Sequence, residues 1–185
     1  MNQWDTETAE WYAKNYGEYA TNRLGVENID LATDSTIVDI GCGTGCALRH
    51  ASNYVTDGVL IGIDPVPRMI EIARQQTGNH PASHRITFRE GSAEHLPVED
   101  SLADIVFAFD SFDHWKDQEQ GLTEVRRILK ARGQLVLVKD GGLPARSDYE
   151  KKIIDLLKDA GFELVTKKDI TENSIECTRW VFSAN

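Results

Sequence analysis

The chain has 185 residues with a net charge of −10, a hydrophobic content of 41% and a charged content of 27%, proportions ordinary for a soluble globular protein. That length predicts one domain over residues 1–185 with a sizeable core, and no apolar run approaches a membrane span. The acidic balance argues against nucleic acid as the main partner, since phosphate binding needs a basic face.

The N-terminus, Met1 to Glu7, has no basic stretch followed by an apolar one, so it does not read as a secretory signal. Three cysteines, Cys42, Cys46 and Cys177, fit a reducing compartment and predict a cytoplasmic protein. Cys42 and Cys46 have a Cys-x3-Cys spacing. Cluster binding would need further cysteines close by; otherwise the pair reads as small residues in a tight turn and a first helical turn.

Residues 5 to 24 read as a helix with Trp11, Tyr12, Tyr16 and Tyr19 at helical spacing. The stripe is either core packing or the underside of a lid. A polar link then leads to Ile37-Val38-Asp39-Ile40-Gly41-Cys42-Gly43-Thr44-Gly45. Its apolar part predicts a buried parallel strand and its glycines a tight turn. A helix follows, and its first N–H groups are unpaired. A dinucleotide fold would want Gly-x-Gly-x-x-Gly, but Cys46 stands at the third glycine's place. Asp39 would repel a pyrophosphate, yet it suits a ligand carrying an ammonium group.

Val59 to Ile63 predicts the second strand, ending at Asp64. An acid there can accept from both ribose hydroxyls, and it lies about 20 residues past the glycine turn. The same carboxylate can cap the helix entered through Pro65. Pro67 to Arg74 reads as that helix, and Arg85 to Glu90 as the third strand, running into Gly91-Ser92-Ala93-Glu94-His95-Leu96-Pro97. Ala103 to Phe109 is the fourth strand and ends in Asp110-Ser111-Phe112-Asp113-His114-Trp115. Gln118 to Lys130 is a helix with Leu122, Val125, Ile128 and Leu129 on one face. Its Arg126, Arg127, Lys130 and Arg132 read as a solvated face and tail. Gly133 to Val138 is the fifth strand. After a loop over Asp140 to Arg146 comes a helix from Ser147 to Ala160, closed by Gly161. Phe162 to Val165 and Cys177 to Phe182 are two last strands without a crossover helix, so they pair antiparallel or lie apart.

Taken in order, these residues resemble the class I S-adenosylmethionine (SAM) methyltransferases, in the small-molecule branch that includes quinone-biosynthesis enzymes. Asp39-x-Gly41-x-Gly43-x-Gly45 is similar to that family's first motif. Gly91 to Pro97 resembles its Gly-Asp-Ala-Glu-x-Leu-Pro stretch, with Ser92 in place of the acid. Glu124 to Gly133 resembles its Glu-x-x-Arg-Val-Leu-Lys-Pro-Gly-Gly stretch, with Ala131 and Arg132 replacing proline and glycine.

The resemblance implies an α/β, Rossmann-like methyltransferase fold. It would hold a seven-stranded, mostly parallel sheet with a C-terminal antiparallel hairpin, helices on both faces, and a helical lid over residues 1–30. It implies SAM as cofactor, held by Asp39, Gly41, Cys42, Gly43, Gly45, Asp64, Pro65, Met69, Ser92, Ala93, Glu94, Phe109 and Asp110. It implies methyl transfer to a small-molecule acceptor near Tyr12, Tyr16, Ser111 and His114, with no metal. His114 is the candidate general base, since its ordinary pKa is near neutrality; a structural hydrogen bond beside Trp115 is the other reading. No large insertion follows the fifth strand, where many relatives build a substrate cover. A homodimer, a partner protein or a large acceptor would each complete the site. A SAM-binding accessory or sensing protein without catalysis is the alternative function.

Overall fold

A computed structural model describes residues 5–27, 29–141 and 148–184. Its centre is a seven-stranded sheet of order β3-β2-β1-β4-β5-β7-β6. The strands are β1 (Ile37–Ile40), β2 (Leu60–Asp64), β3 (Ile86–Glu90), β4 (Ala103–Phe109), β5 (Leu129–Asp140), β6 (Phe162–Glu172) and β7 (Ile175–Ala184). The first five pair in parallel, and β7 runs antiparallel to both β5 and β6. The helices are α1 (Thr6–Tyr16), α2 (Ala20–Val26), α3 (Cys46–Ala51), α4 (Pro67–Thr77), α5 (Gln118–Ile128) and α6 (Asp148–Asp159).

Every residue of β1 and β2 is buried, as expected of parallel strands covered on both faces. Alternate residues feed two cores. Val38, Ile40, Ile61 and Ile63 pack with Leu122, Val125 and Ile128 of α5 and Ile153 and Leu157 of α6. Ile37, Leu60, Phe107 and Phe109 pack on the other face with Leu24 of α2, Leu48 of α3 and Ile70 of α4. A third, smaller cluster joins Ala9 of α1 to Val66, Met69 and Ile72 at α4. That contact lays α1 across the start of α4.

Four expectations need correction. The helix foreseen over 5–24 is two helices, broken at Gly17-Glu18-Tyr19. The Thr44 hydroxyl donates to the Gly17 carbonyl at 2.6 Å and fixes that elbow. The aromatic stripe is not closed core: Trp11 is 58% and Tyr16 42% exposed. The last hairpin is longer than foreseen, because Asn173 and Ser174, both at positive φ, close a two-residue turn. The helix foreseen to Lys130 ends at Ile128, and the basic residues of α5 and the start of β5 are not a free solvated face. Arg127 bonds Glu124, Asp100 and the carbonyls of Leu96 and Val98, and Lys130 pairs with Asp104 at 2.7 Å. The expected 140–146 loop falls largely outside the described residues, from 142 onward. No helix among the described residues is long and apolar enough to cross a membrane.

Candidate cofactor and acceptor site

Parallel pairing of β2, β1, β4 and β5 carries their C-terminal ends to one edge of the sheet. In such sheets, ligands bind beyond that edge. Asp39, Asp64, Asp110 and Asp140 all stand at or near it.

The glycine turn begins there. The N–H groups of Gly41 and Cys42 both donate to Ile63 O, at 2.8 and 3.0 Å, which folds the turn back over β2. Gly41, Gly43 and Gly45 all have positive φ. Gly43 is the open one: a Cβ there would meet nothing within 4 Å. Bare backbone of this kind lets a ligand come to contact distance.

Asp39 is 2% exposed, and its Oδ1 has no hydrogen-bond partner. Burial, then the charge of Asp64, pushes its carboxyl up to about 8. A buried acceptor without a donor costs free energy unless a ligand supplies one. An ammonium group or an ordered water beneath it fits that need. Asp64 is also buried, and burial raises it to about 6 against two backbone donors. Its Oδ2 accepts from Gly43 N at 3.0 Å and its Oδ1 from Val66 N at 2.9 Å. The carboxylate therefore clamps the glycine turn to the start of α4, and its remaining lone pairs can accept from ligand hydroxyls. The N-cap of α4 is Val66, so Asp64 stands two positions before the cap and holds it by accepting from Val66 N.

Asp110 follows β4 at φ 51, a left-handed conformation that aspartate tolerates better than most residues. Burial raises its carboxyl. Asp140 N donates to its Oδ1 at 2.6 Å and the Thr21 hydroxyl to its Oδ2 at 3.3 Å. Ser111 is buried and donates to Ile40 O at 2.5 Å, tying this corner to β1. Tyr12 reaches over the same edge. Burial raises its phenol first, and the charges of Asp110, Asp64 and Asp140 add to it.

The other expected site residues differ in setting, some packed in the core and some at the surface. Met69 is 1% exposed beneath α1. Phe109 stacks on Phe107 at 4.7 Å beneath α2. Cys42 is buried, and Pro65 is exposed. Ala93 is buried against the α5 side, whereas Ser92 is half-buried and bridged to His95. Glu94 Oε1 accepts from Lys116 N at 2.6 Å and Asp117 N at 3.0 Å, so it anchors the 91–97 loop to the entry of α5. His114 is exposed in a short 3-10 turn (Phe112–His114), and its side chain has no partner among the described residues. Trp115 is buried against Phe112 with its indole N–H unpaired, so no bond joins it to His114.

The sequence reading missed Thr44, Glu18, Asp140 and Tyr149. The Cys46 thiol donates to Glu18 Oε2 at 3.3 Å, and Arg49 pairs with the same carboxylate. Tyr149 donates to Asp113, whose other oxygen pairs with Lys139 at 2.7 Å. These pairs join residues far apart in the chain, so no local pattern announces them.

The methyltransferase domain family matches residues 38–137, more than half of the chain. The chain is 28% identical to an O-methyltransferase of Penicillium expansum over 189 residues, covering 94% of this chain and 68% of that protein. It is 32% identical to a demethylmenaquinone methyltransferase of Lactiplantibacillus plantarum, covering 60% of this chain and 47% of that protein. The chain thus spans about half the length of that second relative. Its backbone is similar to a solved SAM-dependent methyltransferase of Aquifex aeolicus, with a TM-score of 0.78, 18% identity, and coverage of 98% and 100% of the two chains. The first motif, the strand order and the family match agree: the chain belongs to the methyltransferase domain family, as a class I methyltransferase with S-adenosylmethionine as its cofactor.

Proposed function

We propose that the chain transfers a methyl group from SAM to a small-molecule acceptor. The observation that carries the cofactor part is the orphaned, buried Oδ1 of Asp39 beside the open face of Gly43. When bound, SAM supplies a sulfonium-borne methyl, which an acceptor lone pair can take while the carbon–sulfur pair stays on sulfur. In this reading Asp39 takes the cofactor's amino group, directly or through water, and Asp64 its ribose hydroxyls. Ser92 and Ala93 border the base. The elbow of α1 and α2 covers the site and excludes water, which strengthens every charge contact inside. Alignment of the acceptor supplies most of the remaining acceleration.

The acceptor side is the corner of Tyr12, Tyr16, Asp110 and Ser111. His114, exposed just past it, is the candidate to receive a proton when the acceptor carries one. Small size of the acceptor is supported by the uncompensated acids at this edge, which disfavour a polyanion. It is supported too by the relatives' names, which include a demethylmenaquinone methyltransferase.

The test is transfer of label from methyl-labelled SAM into a metabolite extract. Label in one small-molecule product supports the reading. Label in RNA or protein alone, or in nothing, overturns it.

A further inference from the structure

The acid edge holds more negative charge than the cofactor reading uses. Asp39 and Asp64 go to the cofactor. Asp110 and Asp140 remain, and among the described residues neither has an ion pair. The neighbouring cation, Lys139, pairs with Asp113 at 2.7 Å, and its pull on Asp110 ranks behind burial, the Asp140 backbone bond and the Asp140 charge. Asp110 accepts from the Thr21 hydroxyl and the Asp140 backbone, and the Asp140 carboxylate is exposed.

Aromatic residues stand beside these carboxylates: Tyr19 is two positions from Thr21, which bonds Asp110, and its ring is linked to those of Tyr16 and Tyr12. Tyr12 and Tyr16 have centroids 5.4 Å apart, Tyr16 and Tyr19 5.9 Å, and Trp11 and Tyr16 5.7 Å. Both phenols flanking Tyr16 feel the acids. Asp140 is the largest cause of the raised Tyr19 phenol, and Asp110 follows burial at Tyr12. Trp11 and Tyr16 are 58% and 42% exposed and their rings meet edge-on, so aromatic surface is open to a ligand here. Aromatic faces and carboxylates share one preferred ligand, a desolvated organic cation. The ring quadrupole attracts it, and the acids neutralise it.

We propose that the acceptor site takes a small organic cation, an alkylamine in its ammonium form, held between the rings of Tyr12, Tyr16 and Tyr19 and the carboxylates of Asp110 and Asp140. This rests on the proposed function, because it names the acceptor class of that same site. A bound ammonium gives up one N–H proton at the exposed rim, to the His114 imidazole that then passes it to water, and the freed lone pair is the nucleophile. A neutral phenol or quinol would leave both carboxylates without an ion pair among the described residues. A carboxylate or phosphate ester would be repelled.

The test uses binding. The protein, loaded with S-adenosylhomocysteine, is titrated with choline, whose charge does not titrate, and with its neutral shape-twin 3,3-dimethylbutan-1-ol. Hydroquinone serves as a neutral aromatic control. Choline should bind about tenfold tighter than the twin. Tyr16→Leu and Asp140→Asn should each loosen choline about fivefold, while Tyr54→Leu, an exposed ring in another region, should not. Equal binding of the twin, tighter binding of hydroquinone, or no binding of choline overturns the proposal. Failure of S-adenosylhomocysteine to bind would instead count against the cofactor reading. The choline preference of the free protein then judges the cation site by itself.

Discussion

Thr44 and Gly17 lie 27 positions apart, yet the buried hydroxyl of one donates to the main-chain oxygen of the other at 2.6 Å. The glycine turn and the elbow between α1 and α2 are therefore one unit. The residue inside the glycine turn also sets where the two N-terminal helices bend. Glu18 adds its contacts to Cys46 and Arg49 on the same junction.

Thr44→Val keeps the shape and removes the donor. A buried carbonyl left unpaired costs about 1–3 kcal/mol, which lowers the melting temperature by about 2–4 °C for each kcal/mol in a chain of this size. Hydrogen exchange over residues 6–26 should accelerate more than exchange in β1 and β4. Uniform acceleration, or none, would show that the bond does not hold the elbow.

Asp39 gives a pH signature. Its ordinary value is 3.8, and burial raises it to about 8. Between those values the fold holds a proton that the unfolded chain has released. Stability from this group is thus full below the ordinary value and is lost as pH rises toward 8, by at most about 1.4 kcal/mol per unit. Asp64, raised to about 6, behaves likewise over a lower window. Asp39→Asn should flatten the decline in melting temperature between about pH 6 and 8, where Asp39 is the chief contributor of the two. Parallel melting profiles for variant and wild type would contradict this. A cationic ligand at Asp39 also expels the proton. Calorimetry of SAM at pH 7 in buffers of different ionisation heat should show proton release in the wild type and less in the variant.

Two glycines in the same turn separate fold from binding. A Cβ at Gly45 would lie 2.6 Å from the Phe88 ring, whereas one at Gly43 meets nothing. Both positions have positive φ, so each alanine carries a backbone cost of about 1 kcal/mol. Gly45→Ala should therefore lose clearly more stability than Gly43→Ala. Gly43→Ala should stay folded and lose SAM affinity by at least about tenfold, since its Cβ occupies the ligand's approach. Equal melting temperatures with unchanged affinity would refute the assignment.

The base proposal has a direct check once an acceptor is known. His114 is exposed and its side chain is unpartnered among the described residues, so His114→Ala should leave melting and SAM binding unchanged. If the imidazole receives a proton in the rate-limiting step, turnover falls by about 10²–10⁴-fold. Undiminished turnover removes that role.

What the sequence made readable was local. Strand β1, the glycine turn, Asp64 at the end of β2, and β4 were foreseen nearly to the residue, because apolar runs and positive-φ glycines declare themselves within a few positions. The break at Gly17 was not, because its cause is Thr44, distant in the chain. Most of β6 beyond Phe162 faces solvent. A strand with no buried face shows no period of two, so residues 166–172 read as a connection. The structural partners of Glu94 were hidden for a related reason. Its motif position suggested a ligand contact, while the backbone donors of Lys116 and Asp117 that occupy it come from the next element. The start of β5 at Leu129 was hidden by Arg132, whose positive φ interrupts a basic stretch that otherwise continues the helix pattern.

The central claim is that Asp39, Asp64 and the open backbone at Gly43 form a SAM site. Isothermal calorimetry of the wild-type protein with SAM and with NAD tests it most directly. The account predicts saturable binding of SAM and none of NAD, with Asp64→Ala weakening SAM by about 1.5–3 kcal/mol for each charged hydrogen bond lost. Binding of NAD without SAM, or SAM affinity untouched by loss of the Asp64 carboxylate, would contradict it.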